Sequence, residues 1–119
     1  VEALLGKTEQ VNGITVLAAR VPSSSMAALR EMGDLLRDRL KSAVIVLGTV
    51  YDGKPGFVAM VTPDLLDRGL HAGEIVKQVA GVTGGGGGGK ATMAQAGGRD
   101  ENKLDEALGV VKGLVQKVG

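Results

Sequence analysis

The residues best suited to binding chemistry lie in one stretch, from His71 to Arg99. Its centre is a run of six glycines, Gly84, Gly85, Gly86, Gly87, Gly88 and Gly89, which Lys90 follows. Glycine loses more backbone entropy on folding than any other residue, so such a run indicates that bare backbone is needed there. Bare backbone permits positive φ angles, close approach of another segment, or amides directed at an anion. A flexible linker usually contains serine and joins separate domains, so we favour a functional or packing role.

A nucleotide phosphate loop is the first chemistry to test, because the run followed by Lys90 satisfies GxxxxGK. Any six glycines before a lysine match that pattern. The next residue should be Ser or Thr, to hold magnesium, but it is Ala91, and Thr92 comes one place late. The run also follows a helical pattern and precedes an extended one, whereas a phosphate loop leads from a strand into a helix. The sequence therefore does not predict ATP hydrolysis.

Catalytic and metal-binding constellations are equally weak. The chain has one histidine and no cysteine, which excludes a His–His metal pair, a cysteine zinc site and a thiol nucleophile. Its serines form no GxSxG motif. The carboxylate pairs Asp100-Glu101 and Asp105-Glu106 are typical of solvated helix starts. We predict no catalytic residue and no metal ligand. For His71 two roles stay open, a structural hydrogen bond or a place beside the glycines.

Composition bounds the class of protein. With 119 residues and 44% hydrophobic residues, the chain is long enough for one domain with a real core. One Phe, one Tyr and no Trp argue against modules that stack bases on aromatic side chains. A net charge of +1 gives no strong field toward nucleic acid or membrane. We expect a cytoplasmic protein without a membrane span and, since the chain begins at Val1, a piece of something longer.

The first half of the chain predicts alternating strands and helices. A β-branched stretch, Ile14 to Ala19, reads as a strand. Ser23, Ser24 or Ser25 can cap an amphipathic helix that follows. The apolar run from Ala43 to Val50 suits a buried strand, and Asp52-Gly53 predicts a hairpin to a return strand over 56–61.

The second half continues this alternation. Pro63 begins a short helical turn with Thr62 as its expected cap, and a helix starts at about Ala72 with Ile75, Val76 and Val79 facing inward. Residues 92–96 form a short strand, and Asp100 caps a final helix. The expected core positions of that helix are Leu104, Leu108, Val111, Val115 and Val118. The order β-α-β-β-α-β-α predicts an α/β layered domain with a central mixed β-sheet flanked by helices.

The segments HAGEIVKQVA, GGGGGGKATMAQAGG and LDEAL closely resemble the C-terminal globular domain of alanyl-tRNA synthetases, of the type called DHHA1. MAALREMGDLLRDRL and SAVIVLGTVYDGKPGFVAMVTPDLL extend the resemblance over nearly all of residues 11–118. It implies a DHHA1-type domain over 11–119 and the end of a helical linker over 1–10. It also implies a noncatalytic accessory domain that grips the outer corner of alanine tRNA, supporting aminoacylation and editing elsewhere in the enzyme.

The same resemblance implies the partners, cofactors and contact residues. The partners are alanine tRNA, the remainder of the synthetase and, in some members, a second copy. ATP, magnesium and zinc are expected only in other domains. Glycine amides can approach phosphates or base edges closely, and Gln95 can hydrogen bond. Lys90 and Arg99 are countercharges at the two ends of the small-residue surface. The expected tRNA-binding residues are His71, Gly84 to Gly89, Lys90, Gln95, Gly97, Gly98 and Arg99.

Two alternatives use the same surface. The domain could be a protein interaction or dimerisation module of the same enzyme. It could also be the accessory substrate-binding domain of a DHH-type phosphodiesterase. In such phosphodiesterases a GGGH signature supplies a substrate-binding histidine, whereas here the glycines lead to Lys90. That departure disfavours the second alternative.

Overall fold

The computed structural model describes residues 2–118, and its strands are β1 (Glu9–Val11), β2 (Ile14–Arg20), β3 (Val44–Tyr51), β4 (Lys54–Val61), β5 (Gly86–Gly89) and β6 (Met93–Gly97). They form one mixed sheet in the order β1-β2-β3-β4-β6-β5. β2 and β3 are parallel and the other neighbours are antiparallel. This confirms the predicted α/β class with a central mixed sheet.

Helices cover both faces of this sheet. They are α1 (Glu2–Leu5), α2 (Met26–Leu40), α3 (Ala72–Val82), α4 (Leu104–Gly109) and α5 (Val111–Val118), with short 3-10 segments at Pro63–Arg68 and Glu101–Lys103. Among residues 2–118, no helix has the length and apolar character needed to cross a membrane.

The alternation of side chains along β3 divides the core between the two faces. Val44 and Val46 belong to the cluster that α3, α4 and α5 complete, whereas Ile45 and Leu47 belong to the cluster that α2 completes. Both faces of the strand are buried, as its unbroken apolar sequence predicts.

α2 begins where the serines predict, because the Ser25 hydroxyl accepts a hydrogen bond from the Ala28 amide at 3.1 Å. Its fully buried Leu29 and Leu36 face β3 and β4. Gly33 lets the helix lie close to the sheet, since a Cβ there would be 2.9 Å from the Met60 Cε. α2 is the crossover between the parallel strands β2 and β3.

The opposite face is covered by α3 and by the pair α4–α5. Ile75, Val76 and Val79 are buried, which confirms the prediction for α3. The predicted final helix is interrupted at Val110 and begins through the 3-10 segment that the Asp100 carboxylate caps, accepting from the Asn102 amide. The core prediction for Val118 is wrong: its residue is 52% exposed, because it lies at the margin of the protein beside Gly69.

Thr62 occupies the predicted cap position, but its side chain does not cap the 3-10 segment. Its hydroxyl oxygen instead accepts a hydrogen bond from the Ala43 amide at 3.1 Å, which ties the start of β3 to the end of β4. The prediction that the Thr62 side chain caps this segment was therefore wrong. The sequence does not reveal that the Ala43 amide lies within hydrogen-bonding distance of Thr62.

Two strands were missing from the predicted order. β1 turns into β2 through Asn12 and Gly13, whose φ angles of 53° and 81° suit a tight hairpin. The expected division between residues 10 and 11 falls inside β1, and within the described residues 2–10 the helical part is Glu2–Leu5. The second missing strand is β5, so Gly86–Gly89 form a sheet edge rather than the expected glycine-rich loop.

Candidate nucleic-acid interface

The alternation along β6 decides which face of the sheet each residue occupies. Ala94 and Ala96 are buried in the cluster on the α3 side, whereas Met93 packs against the cluster on the α2 side. Gln95 and Gly97 therefore share the α2 side with Met93. The register pairs Gly88 with Gln95 and Gly86 with Gly97, so these glycines share that side as well. We call Gly86, Gly88, Gln95 and Gly97 the open face.

On this side of the sheet α2 packs mainly over β4 and β3, and it reaches the border of the open face at its first residue, Met26. Gly86, Gly88 and Gly97 are exposed, and Gln95 is half-buried. A Cβ added at Gly86 or Gly88 would meet no atom within 4 Å. Internal packing therefore gives no reason for glycine at these two positions.

The intervening glycines are required by the fold. A Cβ at Gly87 would lie 2.5 Å from the Ala96 Cα, and one at Gly89 would lie 2.8 Å from the Ala94 Cα. At Gly85 a Cβ would run into the Gly97 carbonyl oxygen. Real Cβ atoms do not approach backbone this closely, so a side chain at any of these positions would push β5 away from β6.

On the α3 side of the sheet, the two residues that follow β5 accept hydrogen bonds from the first amides of α3. The Ala72 amide donates to the Ala91 carbonyl at 2.8 Å, and the Gly73 amide donates to the Lys90 carbonyl at 3.2 Å. These amides are the ones that a phosphate at a helix N-terminus would use. Backbone carbonyls already accept from both amides, so neither amide is available to an anion.

His71 lies on this covered side and not on the open face. It precedes α3, and its Nδ1 accepts a hydrogen bond from the Glu74 amide at 3.3 Å. Its neighbours include Leu70 and Ile75 of the core and Leu114 of α5. The geometry therefore gives His71 the structural role of a helix cap and separates it from Gln95.

The two expected cations stand at opposite ends of the β5–β6 hairpin. The Lys90 amide donates to the Met93 carbonyl at one end, and the Arg99 amide donates to the Thr83 carbonyl near Gly84 at the other. Both side chains are exposed, and neither forms an ion pair within residues 2–118. Gly98 serves packing rather than the open face, since a Cβ there would lie 2.8 Å from the Thr83 Cβ.

Two residues that the sequence analysis did not select border the open face. A shallow depression of about 310 Å³ is lined by Met26, Tyr51, Gly86, Gly87, Gln95, Ala96 and Gly97. Met26 and Tyr51 lie over Gly56, where a Cβ would be 2.8 Å from the Met26 Sδ. The sequence contained a signal for Tyr51. The Asp52-Gly53 turn fixes the pairing of β3 with β4, and the alternation from Ile45 and Leu47 puts Tyr51 on the α2 side of the sheet.

This surface suits contact and not bond-making. It offers backbone groups, one amide side chain, a thioether and a phenol, with cations at its ends. Within residues 2–118, no group of three or more histidine or carboxylate side chains comes together in a way that could hold a metal ion.

Comparisons with known proteins agree with the fold. A family model described as the DHHA1 domain matches residues 13–117. Alanine–tRNA ligase of Dehalococcoides mccartyi is 56% identical over 114 residues, and that of Bacillus subtilis is 53% identical over 116 residues. These alignments cover 96% and 98% of this chain and 13% of each relative. The chain thus spans about an eighth of the length of the curated relatives it matches.

Solved structures give the same result. The C-Ala domain from Aquifex aeolicus alanyl-tRNA synthetase superposes with a TM-score of 0.83 at 32% identity, covering 92% of this chain and 98% of that one. A DHH domain described as a member of the s1p family of ribosomal proteins has a TM-score of 0.68 at 19% identity, which shows a shared fold alone. The chain belongs to the DHHA1 domain family, in the form that the C-Ala domain of alanyl-tRNA synthetase represents.

Proposed function

We propose that this domain is the accessory tRNA-binding part of an alanine–tRNA ligase and that its open face contacts the outer corner of alanine tRNA. The similarity to alanine–tRNA ligases over almost the whole chain supports the parent activity. Aminoacylation and editing, with their ATP, magnesium and zinc, belong in this proposal to other parts of the enzyme.

One observation carries the proposal. Gly86 and Gly88 have no internal packing reason to be glycine, although glycine in a strand interior is destabilising. An external partner that approaches the backbone closely supplies the missing reason. Because β5 is the edge of the sheet and α3 packs on its other side, a large flat ligand can reach β5 from the open face.

RNA is the partner that the surrounding chemistry favours. A folded RNA corner is recognised through its sugar-phosphate backbone, its shape and its exposed bases. Lys90 and Arg99, which form no ion pair within residues 2–118, supply positive charge at the ends of the hairpin, and Gln95 supplies an amide beside bare backbone. The residues that contact RNA in this proposal are Gly86, Gly88, Gln95, Gly97, Lys90 and Arg99. The remaining glycines, Gly84, Gly85, Gly87, Gly89 and Gly98, shape the hairpin, and His71 caps α3.

The contact should be weak for the isolated domain, because few cations line the surface and the net charge is only +1. Within the whole enzyme, other domains hold the same tRNA and raise the effective concentration of its corner at the open face. The domain would then help the aminoacylation and editing domains to act on one tRNA.

The experiment compares two RNAs. Fluorescence anisotropy at low salt measures binding of the 119-residue chain to full-length alanine tRNA and to a minihelix that carries the acceptor stem but lacks the corner. We expect clear preference for the full tRNA. Equal affinity for both RNAs would contradict the proposal. Sedimentation of the chain alone would then test the dimerisation alternative.

A further inference from the structure

The flank of α2 that faces β6 carries an arginine beyond the residues already assigned to the open face. Met26, the first residue of α2, lines the depression at the border of the open face. Arg30 lies one helical turn further along and so shares the flank of Met26. Arg39 fixes the orientation of the helix, because it lies on the opposite flank and pairs with Glu2 of α1 at 2.7 Å. Arg30 therefore stands on the helix side of the open face.

A lysine stands at one end of the open face. In β4, Val58 belongs to the cluster on the α2 side of the sheet, so strand alternation puts Gly56 and Lys54 on that side as well. Gly56 pairs with Gly97 of the open face. Lys54 therefore lies in the row of residues just beyond the open face, on the same side of the sheet.

Arg99 reaches the same end from the neighbouring chain segment. The Gly98 amide donates to the Pro55 carbonyl at 2.9 Å, just beyond the last paired residues of β4 and β6. Lys54 and Arg99 are the next residues on either side of this bond, so both side chains leave the backbone at this end of the open face. Lys90 stands at the other end.

Four cations thus surround the open face. We call them the basic rim, which consists of Arg30, Lys54, Lys90 and Arg99. All four are exposed, and none forms an ion pair within residues 2–118. Arg37 of α2 differs, because Asp34 and Asp38 lie 3.1 and 3.7 Å from its guanidinium. The charge of the basic rim is therefore available to an anion.

Carboxylates stand next to two members of the rim. Asp100 follows Arg99, but its Oδ1 accepts from the Asn102 amide at 3.0 Å and caps the next helical segment. Asp52 lies in the turn before Lys54. With both carboxylates counted in full, the surface keeps an excess of positive charge.

We propose that the basic rim binds the sugar-phosphate backbone of the RNA whose corner lies on the open face, with Arg30 and Lys54 as contacts beyond Lys90 and Arg99. This inference rests on the proposed function. The Lys90 amide donates to the Met93 carbonyl, and Arg99 follows Met93 by six positions, so the two ends of the rim lie roughly 20 Å apart. One phosphate cannot span that distance, so the rim must hold several phosphates of one RNA molecule.

The salt dependence of binding counts these contacts. Each neutralised phosphate contributes slightly less than one to the slope of log affinity against log salt. Four rim cations predict a slope of roughly −3 to −3.5, whereas Lys90 and Arg99 alone predict roughly −1.5 to −2. Fluorescence anisotropy with alanine tRNA and the 119-residue chain at several salt concentrations measures this slope.

Arg30→Gln and Lys54→Gln test the new contacts one at a time. Each should reduce the size of the slope by about one and weaken tRNA binding about tenfold at roughly 0.05 M salt. The thermal midpoint should not change, because neither side chain has an ion-pair partner to lose within the described residues. The charge-matched controls are Arg39→Gln, on the opposite flank of α2, and Lys117→Gln, near the end of α5. Both controls should leave slope and affinity nearly unchanged.

The outcomes separate this inference from the proposed function. A preference for full tRNA over the minihelix, with a slope of roughly −2 and no response to Arg30→Gln or Lys54→Gln, would overturn the basic rim and leave the proposed function standing. Equal affinity of the unsubstituted chain for both RNAs would reject the proposed function and this inference with it. Controls that lower the affinity as much as the rim variants do would show that binding follows net charge, which would also overturn the rim.

Discussion

Gln95 lies directly opposite Gly88 in the register of β6 and β5, and the space above Gly88 is empty out to 4 Å. Directly opposed residues have Cβ positions about 5 Å apart. The amide of Gln95 therefore stands beside backbone that no side chain shields. At the preceding position of β5, Gly87 has no such space, because the β6 backbone lies where its Cβ would be.

Alanine at these two adjacent positions should have opposite effects. Gly87→Ala should lower the free energy of unfolding by about 1–3 kcal/mol, the usual cost of forcing atoms into a packed site. Gly88→Ala should leave it unchanged or raise it by up to about 1 kcal/mol, because alanine restricts the unfolded chain. Urea unfolding of the two variants measures both values.

The same pair separates folding from binding. If the open face contacts alanine tRNA, Gly88→Ala should weaken that binding although the domain is intact, because a methyl group now stands between RNA and backbone. A Gly88→Ala variant with the stability of Gly87→Ala would contradict the assigned geometry. Unchanged tRNA affinity would instead contradict the contact.

How far the sequence predicts this site depends on the range of the interactions involved. The strands with β-branched residues, Ser25 as a helix cap and the buried side of α3 follow from local patterns. β5 could not be predicted this way, because polyglycine has no side-chain alternation and its pairing with β6 is the only sign of a strand. The different roles of Gly87 and Gly88 likewise depend on where Ala96 lies.

The placement of His71 shows the same limit. Sequence leaves a helix cap and a site beside the glycines equally open, since both put a polar residue next to Ala72. The sheet decides, because α3 packs on the face opposite Gln95. A residue's face in the sheet is a long-range property, and the spacing of glycines along the chain does not contain it.

Lys90 and Arg99 should act as separate phosphate contacts at the two ends of the hairpin. Lys90→Ala and Arg99→Ala should each weaken tRNA binding with little effect on stability, since both side chains are exposed and lack ion pairs within the described part of the chain. Each should also reduce the slope of log affinity against log salt by about one. Anisotropy titrations at several salt concentrations give both quantities.

Lys117→Ala is a charge-matched control, because that lysine lies near the end of α5, on the covered side. If it lowers affinity and slope as much as the hairpin variants do, binding follows net charge and not the open face.

His71→Ala should affect stability and not RNA binding. Loss of the Nδ1 acceptor leaves the Glu74 amide without its cap, which costs about 0.5–2 kcal/mol for typical capping residues. His71→Asn should recover most of that loss, because asparagine is among the best helix caps. Urea unfolding measures the stability, and anisotropy with alanine tRNA measures the binding. A large loss of tRNA affinity in the stable His71→Asn variant would return His71 to the RNA site.

Asp64 should make the stability of the domain sensitive to acid. The Ser42 hydroxyl, which donates to the Asp64 carboxylate, and then the Thr62 side chain hold the pKa of Asp64 below its ordinary value of 3.8. Folding thus favours the ionised form, so its contribution is fully present above pH 3.8 and is lost as the pH falls through the lower folded pKa. Ser42→Ala should raise the pKa of Asp64 toward 3.8 and destabilise the domain at neutral pH. Below the folded pKa the difference from wild type should shrink toward zero. Urea midpoints measured from neutral pH into the acid range test this, and in an Asp64→Asn background Ser42→Ala should lose its pH dependence. A loss of stability that is equal at every pH would assign the effect of Ser42 to packing and not to the carboxylate.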